Sequence, residues 1–170
     1  MSRIEANSYV LQEQTANIAN IITTSIADVE SRAVTCAVTI TRDLADGLPP
    51  AVVDVNAIRQ VLINLLSNAI KFSARDTTVT VSAHIEEGGA LAISIRDHGI
   101  GIPADKLRQL FTPFAQLDTG TSHHYDGTGL GLAIVKGLMD LHGGTISIIS
   151  RQGTGSTVTL HLPASRIDMG

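Results

Sequence analysis

Between residues 59 and 72 the chain reads RQVLINLLSNAIKF, and its polar and apolar members separate on a wheel of about 3.6 residues per turn. Gln60, Asn64, Ser67, Asn68 and Lys71 fall in one narrow sector, while Val61, Leu62, Leu65, Leu66 and Ala69 fill the opposite arc. That pattern predicts a helix with one face in a core. Its polar side is unusual in kind. A solvated helix face usually carries Glu, Lys and Arg, which pair along the helix and favour it. Here the face holds mainly neutral amides, with Asn64, Asn68 and Lys71 one turn apart along a line. Amide oxygens can coordinate a hard cation and an ammonium can meet phosphate. For this stretch in isolation, an exposed helix that tolerates asparagine is the ordinary alternative.

The same periodicities order the rest of the chain. Ile18, Ile21, Ile22, Ile26 and Val29 recur at helical spacing and predict a helix over residues 11–32. Residues 36–43 alternate as a strand, and GLPP at residues 47–50 is a turn that cannot continue regular pairing. Asp54 or Asn56 can cap the amide-bearing helix. Strands are expected over residues 78–85 and 90–97, joined by EEGG as a hairpin. In the second, Leu91, Ile93, Ile95 and Asp97 share one parity and point to one face. A carboxylate that continues a core-facing row is costly unless it accepts hydrogen bonds, so something must donate to Asp97. DHGIGIP follows, where Gly99 and Gly101 let a ligand approach the backbone.

A short helix is expected over residues 104–110, then a stretch rich in Gly, Thr, Ser and His with little periodicity. A loop of that length inside a compact domain is usually functional, and it reads as a lid. From Gly129–Gly131 the chain enters an apolar helix carrying Leu132, Ile134, Val135, Leu138, Met139 and Leu141, closed by Gly143 and Gly144. Strands over residues 145–150 and 156–162 finish the chain. The order predicts a two-layer α+β sandwich: a mostly antiparallel, mixed sheet covered on one face by three long helices, with a lid.

Composition narrows the function. The 170 residues allow one well-packed domain, and 44% hydrophobic with 3% aromatic content calls for a core of Val, Ile, Leu and Ala. A formal charge of −4 without a Lys/Arg cluster argues against a nucleic-acid partner. The single Cys36 excludes an intrachain disulfide framework and suits a reducing compartment. With neither a membrane-length apolar run nor a signal-peptide pattern, the visible chain is expected to be soluble and cytoplasmic, whatever anchors a longer parent.

GTGLGL at residues 127–132 looks at first like a dinucleotide loop, but no strand precedes it and no acidic ribose ligand follows. A glycine run entering a helix still suits phosphate, because backbone N–H groups and the helix dipole face the anion. Gly153 and Gly155 alone read as a hairpin turn. Taken in order, NLLSNAIKF, DHGIGIP, LFTPFAQLD, GTGLGLAIV and GTGSTVTL resemble the catalytic ATP-binding domain of bacterial two-component sensor histidine kinases. That domain belongs to the wider superfamily of gyrase, chaperone and mismatch-repair ATPases with the Bergerat fold. The resemblance runs from about Tyr9 to Pro163. It implies a catalytic domain over residues 9–165, preceded by the end of a dimerisation helix at residues 1–8 (SRIEAN) and followed by a tail at 166–170.

What the resemblance implies for the site is specific. Asp97 accepts a hydrogen bond from the adenine amine, and Gly99, Gly101 and Ile102 line the base pocket. Asn68 coordinates Mg²⁺, Lys71 neutralises phosphate, Asn64 sits beside the phosphates, and Phe72 packs near the base. His124, Tyr125, Gly127, Thr128, Gly129, Leu130, Gly131 and Leu132 belong to the closing lid and helix, and Ser156 contacts the base or a water beside it. Gyrase-type ATPases carry a Glu one turn before the Mg²⁺-binding Asn; here Asn64 is a poor base at neutral pH. That favours donating the phosphoryl group to another protein over hydrolysing it in place. Asn64, Asn68 and Lys71 then serve transfer by position and charge, with no covalent nucleophile required.

This chain departs from the family where a basic pair often precedes the lid Tyr: His123 and His124 stand there instead. Neutral histidines support phosphate less well, which keeps a nucleotide-gated interaction module without phosphotransfer as the alternative, with a gyrase-type ATPase third. A zinc site at His123, His124 and Asp126 is the less expected reading of that pair. His84, His142 and His161 read as structural, and His98 as touching ligand only through its backbone. No His precedes His84, so the phosphoacceptor is expected on a separate upstream dimerisation domain. The implied partners are that domain and a response-regulator receiver domain; the isolated piece is expected to be monomeric and the full protein a homodimer.

Overall fold

A computed structural model describes residues 9–101 and 130–168. The chain begins with strand β1 (Glu13–Ala16), helix α1 (Ile18–Thr35), strand β2 (Val38–Leu44) and strand β3 (Ala51–Asp54). Helix α2 (Val55–Phe72), strands β4 (Thr77–Ile85) and β5 (Leu91–Arg96), helix α3 (Leu130–Leu141), strands β6 (Thr145–Arg151) and β7 (Gly155–Leu162) and a closing 3-10 turn (Ala164–Arg166) follow. The three helices and a mixed five-stranded sheet, in the order β2-β4-β5-β7-β6, make the α+β architecture that the patterning predicts.

Three of the described elements differ from the expected ones. The helix expected over residues 11–32 is a strand and then a helix. Asn17 stops the strand, its side chain accepting from Asn20 N at 3.0 Å, so α1 starts at Ile18. Residues before it are taken by pairing: Glu13 lies opposite Asp54 and Ala16 opposite Ala51. That partner, β3, was concealed between the turn and the cap. At the other end, residues 166–168 are no loose tail, since Ile167 is buried and Asp168 N donates to Pro50 O at 2.8 Å.

Sheet topology follows from the connections. β4–β5, β5–β7 and β6–β7 are antiparallel, while β2–β4 is parallel, reached by way of β3 and α2. Val79, Val81 and Ala83 on β4, Leu91, Ile93 and Ile95 on β5, and Leu160 and Leu162 on β7 are buried in one core with the helices. α2 contributes Ile58, Val61, Leu62, Leu65, Leu66, Ala69 and Ile70 to it, the arc opposite the amides. The other face of the sheet carries hydroxyl pairs, Thr41–Thr80 at 3.2 Å and Ser94–Thr159 at 2.8 Å. The expected short helix at 104–110 and the lid lie outside the described residues. No helix among the described residues is long and apolar enough to cross a membrane.

Candidate functional site

Asp97 stands at the end of β5, 9% exposed, where the row Leu91, Ile93, Ile95 leads it into the interior. The donors it required are backbone groups. Gly99 N–H donates to Asp97 Oδ1 at 3.0 Å and Ser156 N–H to the same oxygen at 3.2 Å. Among the described residues no donor reaches Oδ2. Burial pushes the carboxyl above its ordinary value, against the two backbone bonds and the charge of His98. One oxygen is thus fixed by the fold, and the other is left to accept from something else.

Three backbone segments cross here. Ile100 N donates to Phe72 O at 3.3 Å and Gly99 bridges Ser73, which ties the loop to the end of α2. Gly153 N donates to Ile100 O at 2.7 Å, which ties the same loop to the β6–β7 hairpin. Gly101 was expected to admit a ligand; its packing shows a further reason for glycine. It holds φ +70°, and a Cβ there would stand 2.1 Å from Arg151 O. Likewise Gly155 does more than turn a hairpin, since a Cβ would lie 2.2 Å from Asp97 O. These contacts let the hairpin close on Asp97 and bring Ser156 N–H to its carboxylate. Ser156 Oγ instead meets Ser150 Oγ at 2.7 Å, so its described contact with Asp97 is through the backbone.

α2 brings the amides to the same end of the molecule. Asp54 caps the helix, its Oδ1 accepting from Ala57 N at 3.0 Å, and Asn56 is exposed and does not cap. Asn64, Ser67, Asn68, Lys71 and Phe72 are all half-buried, whereas Gln60 is exposed. Asn64, Asn68 and Lys71 make no side-chain hydrogen bond with a described residue, so among the described residues their amide oxygens and ammonium are unengaged. Leu132 is half-buried against the core. Leu130 and Gly131 begin α3. Ile102, His123, His124, Tyr125, Gly127, Thr128 and Gly129 lie outside the described residues. His98 Nδ1 is 3.0 Å from Thr78 O on the sheet, and His161 Nδ1 is 2.8 Å from Glu86 Oε1.

Reading residue types missed the donors at Asp97 and the place of His142. Main-chain N–H groups have no sequence signature. His142, 1% exposed, sits just beyond α3, where its Nδ1 lies 2.8 Å from Leu138 O and its Nε2 is 3.2 Å from Asp54 N.

The residues present fit an adenine nucleotide: a carboxylate oxygen of a largely buried residue, without a described donor, suits an exocyclic amine, and amides and an ammonium without partners among the described residues suit phosphate and a hard cation. Fold and site together define an α+β domain of the ATPase type. The chain belongs to the histidine kinase-, DNA gyrase B- and HSP90-like ATPase family, whose profile matches residues 53–166. An uncharacterised sensor-like histidine kinase of Rhizobium meliloti is 41% identical over 164 residues, covering 96% of this chain and 31% of that protein. The histidine protein kinase DivJ of Caulobacter vibrioides is 36% identical over 163 residues, covering 96% of this chain and 27% of its own. The chain therefore spans about a third or less of these relatives. Among solved structures, full-length ShkA in complex with AMPPNP superposes with a TM-score of 0.83 at 28% identity, over 95% of this chain and 33% of that one. The catalytic domain of histidine kinase ThkA, at 24% identity and a TM-score of 0.78 over 91% of this chain and 97% of its own, shares the fold.

Proposed function

We propose that this chain binds Mg²⁺–ATP and donates the γ-phosphoryl group to a histidine on a separate dimerisation domain, for relay to a response-regulator aspartate. The observation that carries the reading is Asp97, with Oδ1 held by two backbone N–H groups and Oδ2 without a described donor at the mouth of an amide-lined helix. The bound nucleotide supplies the transferable phosphoryl group. Asp97 fixes the base through its amine, and the loop at Gly99 and Gly101 walls the pocket, with Ile102 next in sequence. Asn68 offers its amide oxygen to Mg²⁺, Lys71 balances phosphate charge, and Asn64 sits where a base would otherwise activate water. Transfer of this kind needs positioning and charge neutralisation, which these side chains can provide. The assignments of Phe72, His124, Tyr125, Gly127, Thr128, Gly129, Leu130, Gly131, Leu132 and Ser156 to the nucleotide site stand as part of the same proposal, as do a cytoplasmic setting and the domain span.

The chain is incubated with radiolabelled Mg²⁺–ATP, alone and with a separately purified dimerisation domain. Acid-labile label on the added domain and none on the chain is the expected result. Nucleotide binding without transfer would favour the interaction-module reading, which His123 and His124 support. Steady hydrolysis by the chain alone would favour a gyrase-type ATPase.

A further inference from the structure

Asp54 does more than an N-cap requires. A cap uses one side-chain oxygen, and Asp54 Oδ1 fills that role on Ala57 N at 3.0 Å. Its Oδ2 is committed elsewhere, accepting from Tyr9 OH at 3.0 Å and from Gln12 N at 2.9 Å. Both donors lie on the segment through which the chain enters the domain. The main-chain N–H of the same residue donates to His142 Nε2 at 3.2 Å, beyond the far end of α3. Arg166 closes the group: it donates to His142 O, to Val52 O at 2.9 Å and to Glu13 Oε1. A residue 2% exposed thus joins the entering segment, the start of α2 and the end of α3, and Arg166 adds the closing turn through His142 and Val52.

The hydrogen-bond roles are determined. Since Asp54 N–H donates, His142 Nε2 must be an unprotonated acceptor, and its Nδ1–H then donates to Leu138 O. The charged groups facing His142 are Asp54, Glu13 and Arg166. Burial holds the imidazole below its ordinary value despite the carboxylates, which keeps Nε2 available to Asp54.

α2 connects this cluster to the amides. Asn68 lies 14 residues beyond Asp54, about 21 Å along a continuous helix at about 1.5 Å per residue. Displacing the helix start displaces Asn64, Asn68 and Lys71 with it, because a packed helix moves as a body. We propose that Asp54 is the positioning residue through which the entering segment at Tyr9 and Gln12 sets the placement of α2, and hence the affinity of the nucleotide site. This rests on the nucleotide reading of the previous subsection and adds a regulatory input to it. A signal that pulls or turns the segment before Tyr9 acts on one carboxylate oxygen, and the helix capped by the other oxygen carries the response.

Asp54→Asn separates the two roles. Asparagine caps a helix as well as aspartate does, so the Ala57 bond survives; its amide NH₂ replaces Oδ2 and faces the N–H of Gln12. Tyr9→Phe removes the phenolic donor and leaves the cap intact. The 170-residue chain and each variant are titrated with ADP and ATP in Mg²⁺, and backbone amide exchange is followed with and without nucleotide. Expected are a loss of affinity of about fivefold or more in both variants and, in the unsubstituted chain, slower exchange of Gln12 N–H when nucleotide is bound, because coupling is reciprocal. Glu86→Gln, which disturbs the His161 pair on the far side of the sheet, is expected to leave affinity unchanged. Variants that lose stability but keep affinity within twofold, with Gln12 exchange indifferent to nucleotide, would overturn the inference. An unsubstituted chain that binds no nucleotide would overturn the reading on which it rests.

Discussion

Asp97→Asn separates base recognition from folding. The amide oxygen can take the place of Oδ1 and keep both backbone bonds, from Gly99 N at 3.0 Å and Ser156 N at 3.2 Å. Its NH₂ then stands where Oδ2 stood, turning an acceptor into a donor that confronts the adenine amine. Leaving such a pair unmatched costs about 1–3 kcal/mol, so affinity should fall by roughly 5- to 150-fold. Stability should not fall with it, because burial already disfavours the charged carboxylate, as its raised pKa records, and a neutral amide relieves that cost. Asp97→Ala is the contrasting variant. It orphans the Gly99 and Ser156 N–H groups, and a loss of about 2 kcal/mol would lower Tm by roughly 4–8 °C for a domain of this size. Calorimetric titration with ATP and ADP, paired with thermal unfolding of both variants, reads the two effects apart. An Asn variant that binds nucleotide like the unsubstituted chain would refute the assignment of Asp97 to the base.

Three further outcomes follow from the same geometry. Asn68→Ala should remove the strengthening of ATP binding by Mg²⁺ while leaving metal-free ADP affinity within about twofold, a comparison made by titration with and without EDTA. Gly101→Ala should cost far more stability than Gly153→Ala in denaturant unfolding. Both hold positive φ, which costs roughly 1–2 kcal/mol for a side chain, but only Gly101 would also drive a Cβ to 2.1 Å from Arg151 O; Gly153 has nothing within 4 Å. Stability should also decline as pH falls below about 6.5, because His142 has a depressed folded pKa and the unfolded chain takes that proton first. Its contribution is complete above that pH and is lost at up to about 1.4 kcal/mol per pH unit, so His142→Asn should flatten the profile between pH 7 and 5 in urea titrations. Equal slopes for the two chains would refute the buried acceptor role.

What was legible in the chain was whatever side-chain identity encodes. The arc of Val61, Leu62, Leu65, Leu66 and Ala69 placed α2 against the core, and the parity of Leu91, Ile93, Ile95 and Asp97 placed a carboxylate inside. That argument also required a donor for Asp97, yet could not name one, since the donors are main-chain N–H groups from Gly99 and from a hairpin 59 residues further on. β1 and β3 were missed for a related reason. Each has four residues, too few for a period to declare itself, and Gln14 and Thr15 form a strand only because Val53 and Val52 lie opposite. The glycines were found for an incomplete reason. Their position marked a loop that needs small residues, but backbone crossing at Arg151 O and Asp97 O, invisible without the fold, contributes that need.

The two ends of the proposed site are built differently, and that bears on which function the chain retains. The base end is framed by main chain: crossings of the α2 terminus, the Gly99–Gly101 loop and the β6–β7 hairpin hold one oxygen of Asp97, and the other oxygen of that side chain is the acceptor. The phosphate end is made of side chains, Asn64, Asn68 and Lys71 on one half-buried arc of α2, outside the core that α2 buries on its other side. Substitution there would therefore erase the proposed phosphoryl transfer without disturbing the fold or the base pocket. The helix itself would gain from replacement of its asparagines by better helix formers, so nothing in the helix calls for them. Their presence together, one turn apart and without partners among the described residues, suits a site for Mg²⁺ and phosphate, and an amide at Asn64 in place of a base suits transfer over hydrolysis. Asn64→Ala and Lys71→Ala should accordingly abolish labelling of the phosphoacceptor while leaving thermal unfolding unchanged or slightly raised.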